Sequence, residues 1–264
     1  MKRFLLSAYL FHLLSVTSAF SQEIQITAFA PLEQTYGEVF ESPELMTMND
    51  MGIDFGYALY ETELKTEEEN PTLEVENIRD YATVYLNGKL QGCLTDDHKS
   101  LLLNIAPGTY QLQIYAENIG RITYGPEILD NSKGLFGAIS LNGAAIENWK
   151  MIPLLVRETS VNELTFGDKK EGDSPCFHKG TFEMNTPKDC HISIKGWGMG
   201  ELWVNGEYLG AYWEENATQS IEVPASVLKQ GKNEVVLFEL KNNSQRSVSS
   251  SAGEYTPEIR EHRR

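Results

Sequence analysis

The feature that most constrains the fold is a β-hairpin sequence that occurs twice. Residues 83–92 read TVYLNGKLQG, and residues 201–213 read ELWVNGEYLGAYW. In each copy an apolar, β-prone run meets Asn-Gly, the pair that tolerates positive φ at both central positions of a type I′ turn. Asn87 and Asn205 lie 118 positions apart, whereas a solenoid unit has roughly 20 to 50 residues. The repeat therefore predicts two successive domains of one all-β type.

The rest of the chain has the spacing of strands and turn residues that is typical of a β-sandwich. Short strand-like runs are separated by Pro, Gly, Asn and Asp every 8 to 15 residues or so, and no stretch has a helical apolar period. We predict two tandem jelly-roll or β-sandwich domains. The first covers 22–152, a linker covers 153–172, and the second covers 173–241 and is short enough to borrow strands from the N-terminal part. The tail at 242–264, rich in Ser and charge, is predicted to be disordered.

The second hairpin also predicts which side chains share a face. Strict alternation puts Leu202 and Val204 on one face of the strand and Glu201, Trp203 and Asn205 on the other. One of those faces must be a core.

The N-terminus has the pattern of a signal peptide. Lys2 and Arg3 precede an apolar run at 4–16, and Ala19-Phe20-Ser21 supplies small residues before Gln22. The alternative is a retained anchor, but the run is short of the roughly 20 residues that span a bilayer. We predict a signal peptide at 1–21, a secreted or periplasmic protein, and no membrane insertion after cleavage.

Charge and cysteine content exclude several classes of partner. The 22 basic and 38 acidic residues give a net charge of −16, which repels phosphate backbones, so we predict no nucleic acid. Of three cysteines, only Cys176 and Cys190 fall within the second repeat; one disulfide or three free thiols are both compatible with the sequence. No metal or cofactor is predicted, because His178 and His191 form no zinc-ligand spacing with them.

Four blocks resemble a known family. They are MTMNDMGIDFGYALYETEL, ENIGRITYGPEILDNSKGLFG, KGWGMGELWVNGEYLGAYW and VPASVLKQGKNEVVLFE. In this order they are similar to the jelly-roll region that follows the catalytic barrel in family 35 glycoside hydrolases, the β-galactosidases. The resemblance covers roughly residues 43–241 and implies two galactose-binding-like β-sandwiches.

The resemblance implies no catalytic residue in this sequence. The family's reaction resembles retaining hydrolysis by two glutamates on a (β/α)8 barrel of about 250 residues, and about 20 residues separate the predicted signal peptide from Pro43. The family pair is therefore carried over to no position, and we expect no enzymatic activity of the chain on its own.

Two positions depart from the family pattern. The family has Arg in L-Y-R-T and in L-G-R-Y-W, where this chain has Glu61 and Ala211. Either those arginines brace a barrel that is not needed here, or the positions have drifted on a surface.

Sugar binding predicts exposed aromatic rings beside polar groups, because rings stack on pyranose faces. By position, the candidates are Trp197, Tyr212, Trp213 and Asn216; the alternative is that the rings pack in a core. The expected partners are galactose-containing saccharides or a glycosidase barrel. We interpret the chain as a secreted, non-catalytic, carbohydrate-associated protein, with an accessory subunit of a split β-galactosidase as the alternative.

Overall fold

A computed structural model describes residues 21–121, 129–170, 172–215 and 219–252. The predicted signal peptide thus lies outside the described residues except for Ser21. A 3-10 turn at Leu32–Thr35 follows the first strand. In the described ranges, no helix has the length and apolar character needed to cross a membrane.

The strands of the N-terminal half are β1 (Ser21–Pro31), β2 (Phe40–Ser42), β3 (Gly56–Thr66), β4 (Thr72–Arg79), β5 (Tyr81–Leu86), β6 (Lys89–Thr95), β7 (Ser100–Leu102), β8 (Gly108–Asn118), β9 (Gly134–Leu141), β10 (Ala144–Ala145) and β11 (Trp149–Leu154). Those of the C-terminal half are β12 (Cys176–Met184), β13 (Cys190–Ser193), β14 (Met199–Val204), β15 (Glu207–Trp213), β16 (Ser220–Val223), β17 (Gly231–Glu239) and β18 (Ser247–Ala252).

The first sandwich packs a six-stranded sheet on a four-stranded sheet. The orders are β2-β11-β3-β8-β5-β6 and β10-β9-β4-β7, and the pairings within both sheets are antiparallel. Alternate residues of β8, namely Leu112, Ile114 and Ala116, point into the core between the two sheets. The all-β prediction is confirmed.

The second sandwich is closed by the first strand of the chain. The sheet order is β15-β14-β17-β12-β1-β18-β13-β16. Residues 21–25 of β1 pair with β18, and from Ile26 onward the strand pairs with β12, with a register shift between Ile26 and Ala28. The strand therefore passes from one layer to the other, and the two layers enclose their own core, to which Trp197, Leu202 and Leu237 belong.

Three boundaries predicted from the sequence differ from the structure. Residues 22–31, which were predicted for the first sandwich, belong to the second, because β1 pairs with β12 and β18; the second sandwich thus borrows an N-terminal strand, as its short length suggested. The tail predicted as disordered from residue 242 contains β18, which inserts between β1 and β13. Its serines are tolerated because backbone hydrogen bonds hold the strand on both sides and Val248 is buried in the core. The predicted linker begins inside β11, and its Val161 and Leu164 are buried between the sandwiches.

The two sandwiches pack on each other through a third core. It joins Tyr57, Tyr85 and Tyr115 of the six-stranded sheet to Trp203 and Phe238 of the second sandwich. The predicted alternation on β14 is confirmed, since Leu202 and Val204 enter the core of the second sandwich while Trp203 enters the core between sandwiches. Both faces of β14 are therefore buried, which is why its sequence is almost continuously apolar.

The predicted Asn-Gly turns are confirmed at both hairpins. Asn87 and Gly88 have φ of 49° and 73°, and Asn205 and Gly206 have φ of 52° and 87°, as type I′ turns require. The hairpins also occupy equivalent strands, because the order β3-β8-β5-β6 in the first sandwich matches β12-β17-β14-β15 in the second. All three cysteines are free thiols in the structure.

Candidate binding site between the two sandwiches

A cleft of about 570 Å³ opens between the sandwiches, beside their shared core. One wall is a face of β8, on which every second residue points away from the first core. Gln111, Gln113 and Tyr115 lie in this row and line the cleft. Gln111 is exposed and Gln113 is half-buried, so both amides face the opening of the cleft.

Glu61 supplies a hydrogen-bond partner for both amides. It lies on β3 beside β8, and one of its carboxylate oxygens accepts a hydrogen bond from each amide nitrogen, at 2.9 Å from Gln111 and 3.0 Å from Gln113. The Asn87 side chain accepts from the backbone N–H of Gln111 at 2.8 Å. The departure from the family arginine at position 61 thus places an acceptor that fixes two amides at the edge of the cleft.

Two phenols add hydroxyl groups to the same wall. Tyr36 and Tyr115 both line the cleft, and among the described residues neither hydroxyl has a hydrogen-bond partner. Burial raises the pKa of both phenols, and Glu33 and Glu61 raise that of Tyr36 further. Both hydroxyls therefore remain protonated and are free to donate and to accept. The ring of Tyr115 is held edge-on against Tyr85, with centroids 5.5 Å apart.

The opposite wall comes from the segment that leads into the second sandwich. It contributes Lys169, Lys170 and Ser174. The turn of the first hairpin reaches this wall at Gly88, where a Cβ atom would lie 2.9 Å from the Ser174 hydroxyl. Glycine is needed here twice, for its positive φ and for this close approach.

The cleft has the composition of a site for a polyhydroxylated ligand. Its volume is within the range of small-molecule pockets, roughly 300 to 1,000 Å³. The amides, phenols and ammonium groups that line it supply directional donors and acceptors, which are the groups that bind hydroxyls.

Of the residues predicted from the sequence, Trp197 and Tyr212 are in the core of the second sandwich. Trp197 is 1% exposed, and its indole N–H donates to the carbonyl of Ser247 at 3.0 Å. Tyr212 is 4% exposed, and its hydroxyl donates to the carbonyl of Phe238. The predicted stacking role of both rings is wrong, because the loop and the hairpin fold these side chains inward.

Trp213 ends β15, which is the edge strand of its sheet. It is 36% exposed and stands 6.5 Å from the ring of Tyr81. Asn216 lies outside the described residues. Trp213 is therefore separated from Trp197 and Tyr212, which face the core, and the predicted set does not form one site.

A buried cluster of charge lies elsewhere between the sandwiches. Glu201 is fully buried and accepts from Tyr57 at 2.9 Å, from Arg157 at 2.7 Å and from Tyr208 at 2.6 Å. Burial, and then the charge of Glu201, raise the pKa of Glu117 to about 7. A pair of carboxyls in which one has a raised pKa would suit acid–base chemistry, but both are buried, Glu201 wholly so, and neither lines the cleft. We assign this cluster a structural role.

A buried Cys–His–Asn contact is likewise not an active site. Cys176 and Asn243 both approach Nε2 of His178, at 3.4 Å and 3.0 Å. Burial raises the pKa of Cys176 to about 12 and lowers that of His178 to about 4. The thiol stays protonated and the imidazole stays neutral, which is the reverse of an activated nucleophile. The described residues contain no cluster of metal-ligating side chains.

The residues of the cleft were missed at the sequence level, although one signal was present. The run QLQIY in β8 alternates polar and apolar residues within an otherwise apolar strand pattern. That alternation indicates a half-polar face. Lys169 and Lys170 gave no signal, because their position depends on how the linker packs.

Comparisons with known proteins agree with the fold. Residues 45–155 match the model for the first all-β domain of β-galactosidase, and residues 175–233 match that for the β-galactosidase galactose-binding domain. A β-galactosidase from Xanthomonas manihotis is 32% identical over 168 residues, covering 63% of this chain and 28% of that protein. Beta-galactosidase 17 from Arabidopsis thaliana is 29% identical over 242 residues, covering 78% of this chain and 34% of that protein.

The chain spans about a third of the length of these relatives. Among solved structures, a lectin from Pleurotus ostreatus in complex with GalNAc covers 88% of this chain and 80% of its own, with 14% identity and a TM-score of 0.29.

Proposed function

Because residues 45–155 and 175–233 belong to the all-β region of the β-galactosidase family, we propose that the chain is a carbohydrate-binding accessory module. It holds a galactose-containing saccharide in the cleft between its sandwiches. The observation that carries the proposal is the row on β8, where Gln111, Gln113 and Tyr115 present oriented polar groups to an open cleft.

Each polar group in the row has capacity left for a ligand. The amide nitrogens of Gln111 and Gln113 each spend one donor on Glu61, which leaves the second donor and the amide oxygen. The groups are also held before a ligand arrives, which reduces the entropy lost on binding. For a small neutral sugar in an open cleft we expect a Kd on the order of 1 mM, about −4 kcal/mol.

Calorimetric titration with neutral galacto-oligosaccharides tests the proposal. Tyr115→Phe keeps the ring against Tyr85 and removes only the hydroxyl, so affinity should fall about 5-fold, the worth of one hydrogen bond. Tyr110→Phe is the matched control, since Tyr110 is on the same strand but outside the cleft. Trp213→Ala should leave affinity unchanged. Loss of binding in Trp213→Ala with full binding in Tyr115→Phe would place the site at the sandwich edge and refute the cleft.

We also propose that the chain has no catalytic activity of its own and that it is secreted. The purified chain is expected not to hydrolyse β-galactosides above background, and turnover that a single Glu→Gln change abolishes would contradict this. The basic and apolar pattern of residues 1–21 supports export. N-terminal sequencing of the protein from its native host should begin at Gln22.

A second candidate function is an accessory subunit that binds a separately encoded glycosidase barrel. The observation in its favour is an exposed aromatic edge, formed by Phe55, Arg157 and Tyr208. The guanidinium lies 4.2 Å from the Phe55 ring centroid and 5.1 Å from that of Tyr208, and both rings are 43% exposed. Aromatic residues and Arg are enriched at the centres of protein interfaces.

Affinity capture on the immobilised chain tests this second function. If it is correct, the eluate from the native secretome hydrolyses a β-galactoside, and capture on Phe55→Ser loses that activity. Equal activity on both columns would show that the aromatic edge is not the interface, and an inactive eluate would leave saccharide binding as the function.

A further inference from the structure

The residues that line the cleft include more lysines than carboxylates, unlike the chain as a whole. The protein carries a net charge of −16, yet the described lining contains two lysines, Lys169 and Lys170, against one carboxylate, Glu33. Arg246 is a third cation in this region, since its charge contributes to the lowered pKa of Lys170. Three cations therefore lie near one another at this corner of an acidic protein, with the carboxylates of Glu33 and Asp173 beside them.

Lys170 is the unusual member of the pair. Its side chain is only 5% exposed, and its ammonium donates to the carbonyl of Gly172 at 2.6 Å. The nearest carboxylate, that of Asp173, is 3.9 Å away, beyond hydrogen-bond distance. An ammonium has three donors, so two remain without an acceptor among the described residues. Burial is also the main cause of a lowered Lys170 pKa.

A buried cation with spare donors is stabilised by an anionic acceptor. The opposite wall supplies neutral groups, the amides of Gln111 and Gln113 and the hydroxyl of Tyr115. One wall therefore suits sugar hydroxyls, and the other suits a negative substituent on the same ligand.

Given the saccharide-binding function proposed above, on which this step rests, we propose that the preferred ligand is an acidic saccharide. Its carboxylate or sulfate group binds Lys170, with Lys169 at the mouth of the cleft, while its hydroxyls bind the β8 row. The shared chemistry is an anionic oxygen cluster on a pyranose ring, supplied either by a uronic acid or by a sulfate ester.

Titration of the full chain with three probes tests the proposal. The probes are a neutral galacto-oligosaccharide, an oligogalacturonate and a sulfated galacto-oligosaccharide of equal length. At least one acidic probe should bind about 10-fold more tightly than the neutral one, the ratio expected for one charge-assisted hydrogen bond. The two acidic probes distinguish carboxylate from sulfate. The preference should decrease as salt is raised from 0.05 to about 0.5 M.

Lysine-to-glutamine variants test whether the preference for the acidic probe arises in the cleft. Lys170→Gln should abolish the preference, so that the acidic and the neutral probe bind with about equal affinity. Lys65→Gln makes the same charge change at an exposed lysine outside the cleft and should have no such effect. Lys169→Gln, at an exposed position, should give a smaller loss without a risk to folding.

Equal affinity for all three probes would overturn the acidic-ligand proposal and leave the saccharide-binding function in place. Equal losses in Lys170→Gln and Lys65→Gln would overturn it too, because the effect would then be one of general charge. If no probe binds, the proposed function itself fails.

Discussion

The two Asn-Gly hairpins have the same backbone but different inward faces. Each has a bulge at the same place, since Val84 pairs with Gly92 and Tyr85 with Leu90, while Leu202 pairs with Gly210 and Trp203 with Tyr208. The equivalent buried positions on the face between the sandwiches carry Thr83 in the first hairpin and Glu201 in the second.

The difference shows that turn and glycine chemistry set the register, whereas the neighbouring sheet determines which side chain each position tolerates. Glu201 is charged and wholly buried, yet Tyr57, Arg157 and Tyr208 all donate to it. Thr83 is equally buried, and its hydroxyl has no partner among the described residues. One position is therefore a polar junction between the sandwiches, and the other is an unpaired polar group.

The largest effect is expected when that junction is removed. Glu201→Ala leaves Arg157 and two phenols without their acceptor, and should lower the free energy of unfolding by about 3 to 5 kcal/mol. Glu207→Ala, at an exposed position of the same hairpin, should change it by less than about 0.5 kcal/mol. Denaturant unfolding of both variants provides the measurement. A loss below about 1 kcal/mol for Glu201→Ala would mean that the junction does not hold the sandwiches together.

The next largest effect concerns the pH dependence of stability, and it involves one residue of the first sandwich. Glu117 on β8 lies at the interface, and its pKa is raised to about 7, first by burial and then by Glu201. A raised carboxyl pKa contributes stability that is complete below the ordinary value of 4.5 and is lost as the pH rises through about 7. For this shift the loss is on the order of 3 kcal/mol.

Glu117→Gln should therefore become more stable relative to the wild type as the pH rises from 5 to 8. Because the other titrating groups, including His178, are present in both proteins, their effects cancel in the difference between the two unfolding curves. A difference that is constant over this range would show that Glu117 is ionised in the folded protein.

The fold was largely predictable because its signals are local. Asn-Gly turns, the alternation of polar and apolar residues, and the turn residues between strands all depend on neighbours in the chain. These signals correctly indicated two sandwiches with equivalent hairpins. What the sequence did not reveal depends on distant partners. The strand β18 is a serine-rich segment, and only its place between β1 and β13 makes it a strand.

The same reasoning explains why the candidate site was placed wrongly. Trp197 and Tyr212 have the local surroundings of exposed rings, a glycine-rich loop and a hairpin end, but the fold turns both into the core. The cleft is made by two segments far apart in the chain, β8 and the residues around Lys170. A local sequence pattern cannot predict that two distant segments come together, although the polar alternation in β8 indicated that one face of this strand is half-polar.

A smaller effect should separate the two turn asparagines. Asn87 and Asn205 both have positive φ, so Ala costs about 1 to 2 kcal/mol at either position. Asn87 uses its side chain to accept from Gln111, whereas Asn205 accepts from Glu234 and also donates to Val227 and Asn233. Asn205→Ala should therefore cost about 1 kcal/mol more than Asn87→Ala.

The Asn→Gly variants isolate the side-chain part of this difference, since glycine adopts the same φ without strain. The gap of about 1 kcal/mol should persist between Asn87→Gly and Asn205→Gly in thermal or denaturant unfolding. If it vanishes, the additional bonds of Asn205 contribute nothing net.

The smallest effect should have the opposite sign. Thr83→Val replaces the buried, unpaired hydroxyl by a methyl group of similar size and removes its desolvation cost, so the protein should gain about 0.5 to 1 kcal/mol. Thr62→Val is the matched control, because the Thr62 hydroxyl donates to the carbonyl of Asn148 at 3.0 Å. That variant should lose about 1 kcal/mol in the same unfolding assay.

If Thr83→Val is destabilised as much as Thr62→Val, the Thr83 hydroxyl has a partner such as a bound water, and the equivalent positions 83 and 201 would both be polar junctions. A gain at Thr83 would instead mean that the first hairpin keeps an unpaired group at the position where the second has built its network around Glu201.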